Sequence, residues 1–554
     1  MMKTGAQIIA ECLLEQGVDR VFGYPGGAVL NIYDALYEYS DRIAHVLTAH
    51  EQGASHAADG YARATGRTGV VIATSGPGAT NLVTGLATAY MDSVPVVAIT
   101  GNVSVDLLGR DSFQEVDITG ITTPVTKHNF IVKDVNALAD TIRAAFRIAS
   151  TGRKGPVLID IPKDVTAAKA DYAPAAPFVE DQPAPDEGEI CRATALLNAA
   201  KRPLLYVGGG VVAADAAQPL RRLAQKRQIP VAMSLMGLGA YPAGDPLCLG
   251  MIGMHGTWIA NRASHVCDLL LVAGARFSDR VAGNRERFAP QAKIIHMDID
   301  PAEFRKNVRA DLTVKGDLKG ILTRLADGVS PVAEGWRSEM DDWNIPPTRD
   351  PGAARGGLAQ PRHVIETVAR LADDPIVVTD VGQHQMWTAQ CFPFKNPRQL
   401  LTSGGLGTMG YGMGAAIGAQ SAFPQRRVVL FTGDGSFHMN LHELVTLASY
   451  RLPVIVMVMN NQVLGMVRQW QKAFYGGRFS ATDPHRPTDF VQLAQAFGIK
   501  GFRIEKDEEV EPVLRAAFAL NQPALIDCRI SPDANVLPMI PPGGTAEDIM
   551  TEMA

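Results

Sequence analysis

RVVLFTGDGS, residues 427–436, and LPVIVMVMNNQ, residues 452–462, are built alike. Each is a short apolar run rich in Val, Leu, Ile or Met that stops at Gly or Asn. Apolar runs of this length, closed by turn residues, read as strands buried on both faces. The pattern recurs in GVVIATSGPGATN (69–81), RPLLYVGGG (202–210), DLLLVAGARFSDR (268–280) and KIIHMDID (293–300), with helical patterns between. Such strands alternating with helices imply parallel sheets covered on each side. We therefore expect an α/β chain of three doubly wound parallel-sheet domains. Ligands of such sheets bind at the carboxyl ends of the strands, where the Gly-rich turns fall.

Length agrees with that reading. The chain has 554 residues, enough for three or four domains at about 150 residues each. Two aperiodic stretches, DYAPAAPFVEDQPAPDEG (171–188) and NIPPTRDPGAARGGLAQP (344–361), read as linkers. They divide the chain into 1–170, 185–345 and 360–554. Net charge is −5, with 52 basic and 57 acidic residues and no basic stripe, which argues against a nucleic-acid partner. Six scattered Cys without a C-x-x-C pair suggest reduced thiols in a cytoplasmic protein. The N-terminus reads as an amphipathic helix opening at Thr4, with Gln7 completing a capping box, and not as a signal peptide. Apolar runs are strand-length, so no membrane span is expected.

The strongest chemical signal is GDGSFHMN (433–440) followed by NNQ (460–462). Asp434 and Asn461 each close an expected strand, 27 residues apart. Gly433 and Gly435 let backbone N–H groups approach a phosphate. The Asp434 carboxylate and the Asn461 amide oxygen are hard ligands suited to Mg²⁺, which shares its shell with phosphate oxygens and water. The alternative is a turn plus a helix N-cap. In HEQGASHAADGYARATG (50–66), Glu51 stands among small residues with no obvious protein partner; the alternative there is a surface acid at a helix start.

GDG followed by NN at this spacing resembles the motif of thiamin-diphosphate enzymes. The resemblance implies one domain that holds the diphosphate through Mg²⁺ and another that holds the aminopyrimidine. It makes Glu51 the carboxylate that shares a proton with the pyrimidine ring. Burial would raise its proton affinity, and the small residues around it would let the ring approach. The resemblance makes the backbone carbonyl of Val463 the third metal contact beside Asp434 and Asn461. Gly382, Gln383 and His384 resemble the diphosphate-binding turn, with Gly407, Gly433, Gly435 and Ser436 beside it. Pro25, Gly26, Gly76 and Asn81 fall in the matching motifs of the first domain.

Across nearly the full length, motifs such as FGYPGGAVLNIYDAL (22–36), FQEVD (113–117), GARFSDRV (274–281), GMVRQWQ (465–471) and PPGG (541–544) resemble acetohydroxyacid synthase, or acetolactate synthase, large subunits. The resemblance implies decarboxylation of pyruvate and transfer of the hydroxyethyl unit to pyruvate or 2-ketobutyrate, on the way to branched-chain amino acids. Met409 resembles the bulky residue that bends the cofactor, with an ordinary core Met as the alternative. Phe113 and Gln114 resemble active-site wall residues. Lys163 resembles an entrance residue, with a solvated Lys as the alternative. Met466, Val467 and Trp470 resemble the acceptor pocket, and Arg280 the partner of the acceptor carboxylate.

The central domain resembles one that holds FAD in a structural, non-redox role. The residues implied are Gly208, Gly209 and Gly210, then Met254 and His255. Gly274, Arg276 and Asp279 follow, with Asp298 at an expected ribose position and Asp317 at a further strand end. Arg153 would join them from the first domain. The alternative is a vestigial domain without flavin. Because the cofactor halves lie on different thirds of the chain, the resemblance implies a homodimer or homotetramer, with the PPGG tail as a lid. It also implies a small regulatory subunit. Two positions depart from the family pattern. Ser278 replaces an Asp, and Gly414 replaces a Pro, which we expect to loosen a helix start. Pyruvate oxidase is the runner-up, followed by a flavin-free catabolic acetolactate synthase, glyoxylate carboligase and a noncatalytic thiamin-diphosphate sensor.

Overall fold

The computed structural model describes residues 1–178, 184–353 and 355–553. Each of the six quoted runs contains a strand: Gly69–Ala73, Pro203–Val207, Leu269–Ala273, Lys293–Asp298, Val428–Gly433 and Ile455–Asn460. They belong to three six-stranded sheets, all parallel, with strands between residues 20–162, 203–315 and 376–529. Numbered in chain order within each sheet, the strands of the first and third sheets run 2-1-3-4-6-5. Those of the middle sheet run 3-2-1-4-5-6.

Alternate strand residues enter different cores, because successive side chains point to opposite faces. Val70 and Ile72 pack with Ile8, Ile9 and Leu13 of helix Gly5–Glu15, while Val71 and Ala73 face the other way. That second face shares one core with Val428, Leu430, Val456 and Val458 of the third sheet. Val429, Phe431 and Met457, on the opposite face of the third sheet, share a core with Leu205, Leu269 and Leu271 of the middle sheet. The third sheet is therefore packed between the other two.

The Ala and Gly residues after Glu51 have a use that the sequence did not reveal. They let helix Glu51–Thr65 touch helix Tyr411–Ala422 of the third domain backbone to backbone. A Cβ on Gly60 would strike the Ala415 carbonyl, and one on Gly418 the Ala57 carbonyl. Gly414 is part of the same contact. It lies inside the helix, not at its start, and a Cβ there would come 2.6 Å from both the Gly53 oxygen and His56 Cβ.

A buried ionic cluster locks this contact. Arg63 donates to Asp59 at 2.6 Å, to Asp92 at 2.9 Å and to the Thr402 carbonyl at 2.9 Å. Tyr411 donates to Asp59, and Asp92 accepts from the amides of Gly404 and Gly405.

Thr4 and Gln7 form the expected capping box. Unforeseen was the antiparallel pairing of Met2–Thr4 with Lys169–Asp171. Of the two linker stretches, 171–188 contains residues 179–183, which lie outside the described residues, and helix Glu187–Ala199 begins within it. The 344–361 stretch is tied to the C-terminal tail: the Arg349 amide donates to Thr551 O, and Asp350 accepts from the Asn535 amide. Among the described residues no helix is long and apolar enough to cross a membrane.

Replacing Arg63 with Leu strands two buried carboxylates. We expect a loss of about 3–5 kcal/mol, read as a lower denaturant midpoint, with both sheets still native by circular dichroism.

Candidate active site

At the third sheet, the turn after Ile376–Thr379 and the turn after Val428–Gly433 face each other where the strand order reverses. Gly382 occupies φ 151°, a region open to glycine. His384 is buried against Gly382 and Gly433, and its Nε2 has no partner among the described residues. Burial pushes its imidazole down to about 3, so the ring is neutral. Gln383 donates to Gln469 Oε1 at 3.0 Å and to the Ala534 carbonyl at 2.8 Å, and it accepts from Asn461 Nδ2 at 3.2 Å. Asp434 is buried, which pushes its carboxyl up to about 6 against the pull of nearby amides, including that of Asn461. The Asn461 Oδ1 accepts from the Val463 amide at 3.2 Å. Ser436 donates to Val381 O at 2.9 Å. Met409 Cε lies near Gly435, and Gly407 beside Val381 turns at φ 73°.

At the first sheet, Glu51 is the first residue of helix Glu51–Thr65 and is half-buried. Its carboxylate does have a protein partner: Asn81 Nδ2 donates to Oε2 at 3.0 Å. Gly78 approaches Oε1, and Gly26 lies against Thr74. Gly76, at φ 60°, packs on the backbone of Gln114, itself at φ 60°. Pro25, Phe113 and Lys163 are exposed, each in a segment beyond the carboxyl end of a first-sheet strand.

The middle sheet supplies the third cluster. Gly208 and Gly210 donate to Ala273 O and Gly274 O at 2.9 and 3.0 Å, and a Cβ on Gly208 would strike the Gly274 carbonyl. Gly209 opens the helix that follows. Burial pushes Asp298, at the end of its strand, up to about 6. Asp317 caps helix Leu318–Gly328 by accepting from Gly320. Arg276 donates to Met91 O at 2.6 Å. Arg153 donates to Ser93 Oγ and pairs with Asp300 and Glu303, so carboxylates already hold its guanidinium. His255 is buried, with Nδ1 unpartnered among the described residues.

Arg280 joins this cluster to the third sheet. Its guanidinium lies 6.0 Å from the Trp470 ring and pairs with exposed Asp279. Trp470 lies on helix Gly465–Phe474 with half-buried Met466 and exposed Val467. A cavity of about 230 Å³ separates Asp279 and Arg280 from the PPGG tail, which docks through the Ile540 amide on Met254 O.

Three family profiles match the chain: the N-terminal TPP binding domain of thiamine pyrophosphate enzymes at residues 3–121, the central domain at 190–325 and the C-terminal TPP binding domain at 380–528. The chain is 48% identical over 98% of its length to an acetolactate synthase large subunit of Parasynechococcus marenigrum, covering 90% of that protein. It is 46% identical over 99% to acetolactate synthase isozyme 2 large subunit of Escherichia coli, covering all of it. It is also 46% identical over 99% to a probable acetolactate synthase large subunit of Methanocaldococcus jannaschii, covering 95%. The chain belongs to the acetolactate synthase large-subunit family of thiamine pyrophosphate enzymes.

The residues fit that family's cofactor. Unpartnered His384 Nε2, buried Asp434 and the glycines at 382, 433 and 435 form a polar cradle without Cβ atoms in the way. Three supporting residues escaped sequence reading in this acetolactate synthase family member. Asp380, buried and pushed up to about 6, accepts from the amides of Gly410 and Val381 and so ties the Met409 loop to the Gly382 turn. Buried Glu443 accepts from the amides of Ala49 and His50, just before Glu51. Gly465 has no room for a Cβ beside Gln383 and Asn461. Only Asp380 carried a signal, as an acid closing the apolar run IVVT.

Asp298 gives a pH prediction. Its folded pKa, about 6, lies above its ordinary 3.8. The stability it allows is complete below about 4 and is lost as pH rises through about 6. Asp298→Asn should therefore make the cofactor-free protein about 1–3 kcal/mol more stable at pH 8, a difference that vanishes toward pH 4 in denaturant titrations.

Proposed function

We propose that this chain is an acetolactate synthase: it decarboxylates pyruvate and joins the two-carbon unit to a second 2-ketoacid, pyruvate or 2-ketobutyrate. The observations that carry the reading are the Asp434–Asn461–His384 cradle at the third sheet and the Glu51–Asn81 pair at the first, in a chain 44–48% identical to acetolactate synthases.

The parts divide as 1–170 for the pyrimidine half, 185–345 for flavin and 360–554 for the diphosphate half. Asp434, Asn461 and the Val463 carbonyl hold Mg²⁺; two buried oxygen donors and a main-chain oxygen suit a hard cation that keeps phosphate and water as its other ligands. His384 and the Gly382, Gly433 and Gly435 amides hold the diphosphate. When bound, thiamin diphosphate supplies the electron sink for decarboxylation. Glu51 holds a proton at the cofactor's ring nitrogen, and Asn81 fixes the carboxylate. Phe113, Gln114 and Met409 wall the site, and Lys163 stands at its mouth. Arg280 binds the acceptor carboxylate, and Trp470 with Met466 and Val467 contacts its alkyl end. A single methylene there is worth at most about 1–3 kcal/mol of selectivity.

The middle sheet holds FAD as a structural group. Its support is the strand order 3-2-1-4-5-6, the order of dinucleotide-binding sheets, with Gly208–Gly210 and Gly274 at the reversal and Asp298 at the end of a strand, where a ribose acceptor is expected. Two copies of the chain complete each site, the PPGG tail closes over it, and a small regulatory subunit binds the assembly, as the relatives' designation as large subunits suggests. The assembly works in the cytoplasm.

Anaerobic incubation with pyruvate and 2-ketobutyrate, with and without flavin, tests the reading. Both acetohydroxyacids should form without an electron acceptor; their absence overturns it. Glu51→Gln should lower turnover by about 100-fold or more while calorimetry shows thiamin diphosphate and Mg²⁺ still binding. Unchanged turnover refutes the role given to Glu51.

A further inference from the structure

Gln469 lies between Val467 and Trp470 in GMVRQWQ, yet it points away from them, into the protein, and is 3% exposed. Its amide is fully engaged. Oε1 accepts from the Val536 amide at 2.8 Å and from Gln383 Nε2 at 3.0 Å, and Nε2 donates to the Val536 carbonyl at 3.0 Å. Both polar groups of Val536 are main-chain groups with fixed roles, so the sense of the Gln469 amide is fixed as well. Gln383 must then present its NH₂ to Gln469 and its oxygen to Asn461, as it does.

The same helix meets this amide chain at a second point. Gly465, one turn before Gln469, leaves no space for a Cβ beside Gln383 Oε1, and such a Cβ would lie 2.6 Å from Asn461 Nδ2. Gln383 is thus gripped by contact at 465 and by a hydrogen bond at 469. Two anchor points one helical turn apart fix both the rotation and the height of a helix. The residues carried between and beside them are Met466, Val467 and Trp470. Beyond Val536, the chain runs directly into the segment whose Ile540 docks on Met254.

We propose that Gln469 is a positioning residue for acceptor selection: it indexes the helix bearing Met466, Val467 and Trp470 to the Gln383–Asn461 turn and to the 534–540 tail. The inference rests on the acceptor-pocket reading above and assigns a role to a residue that touches neither substrate nor cofactor. Trp470 supplies the apolar contact, and Gln469 decides where that contact stands. The buried amide is costly to leave half satisfied, so removing it shifts the helix and does not simply leave a void.

The test uses the full-length holoenzyme and three variants. Gln469→Met keeps shape and loses every hydrogen bond. Its ratio of 2-aceto-2-hydroxybutyrate to acetolactate, from mixed pyruvate and 2-ketobutyrate, should change roughly three- to tenfold. In the cofactor-free protein, amide exchange at 534–539 should quicken by about tenfold or more. Gln469→Glu gives a pH readout. Protonated, the carboxylic acid reproduces both the acceptor and the donor; ionised, it sets a charge against the Val536 carbonyl. Its product ratio should approach that of the parent as pH falls and depart from it as pH rises, while the parent ratio stays flat. Should the Met variant fail to fold, the Glu variant at low pH carries the test alone. Trp470→Leu separates the two claims: a parent-like ratio there refutes the acceptor-pocket reading itself. With Trp470→Leu shifted, parent-like ratios in the Gln469→Met variant, or in Gln469→Glu at every pH, overturn the proposal.

Discussion

Helices Glu51–Thr65 and Tyr411–Ala422 touch backbone to backbone, with Gly60 against the Ala415 carbonyl and Gly418 against that of Ala57. This contact governs how the first and third sheets share a core. A methyl group at either glycine would force the sheets apart or tilt one against the other. Arg63 makes the contact specific, because its two carboxylates and the Thr402 carbonyl can be met together only in one register. Asp92, held by Arg63, accepts from the amides of Gly404 and Gly405. The loop leading to Met409 is therefore placed by an ion pair that begins on the helix of Glu51.

The same economy appears elsewhere. Asp380 joins the Gly382 turn to Gly410, and Glu443 reaches from the third domain to the two amides before Glu51. In each case a buried carboxylate meets main-chain N–H groups in place of a cation. The acids are pushed upward by burial and held down only in part by these amides. They act as struts between loops at strand ends, where the chemistry is placed.

Sequence reading found the strands because their apolar runs are continuous, and it placed Asp434 and Asn461 at strand ends because both close such runs. It placed Gly208–Gly210 and Gly274 for the same reason. It did not foresee that the small residues after Glu51 meet another helix, because an Ala- and Gly-rich helix looks the same whether it admits a ring or a helix. It took Gly414 for a loosened helix start, whereas the position is crowded by Gly53 and His56. It supposed that Glu51 had no protein partner, since Asn81 lies 30 residues on and nothing local links the two. Spatial order was beyond its reach. That the third sheet packs between the other two follows from which alternate side chains meet, and no local pattern encodes that.

The pairing of Met2–Thr4 with Lys169–Asp171 bears on how the chain is made. The first helix, whose Ile8, Ile9 and Leu13 belong to a closed core, is pinned by a strand near residue 170. At ribosomal speeds of about 5–20 residues per second, that strand follows Met2–Thr4 by roughly 8–33 seconds. For that interval Met2–Thr4 has no strand to pair with, and the helix beside it rests only on the part of its core already made, a window in which chaperones have something to hold.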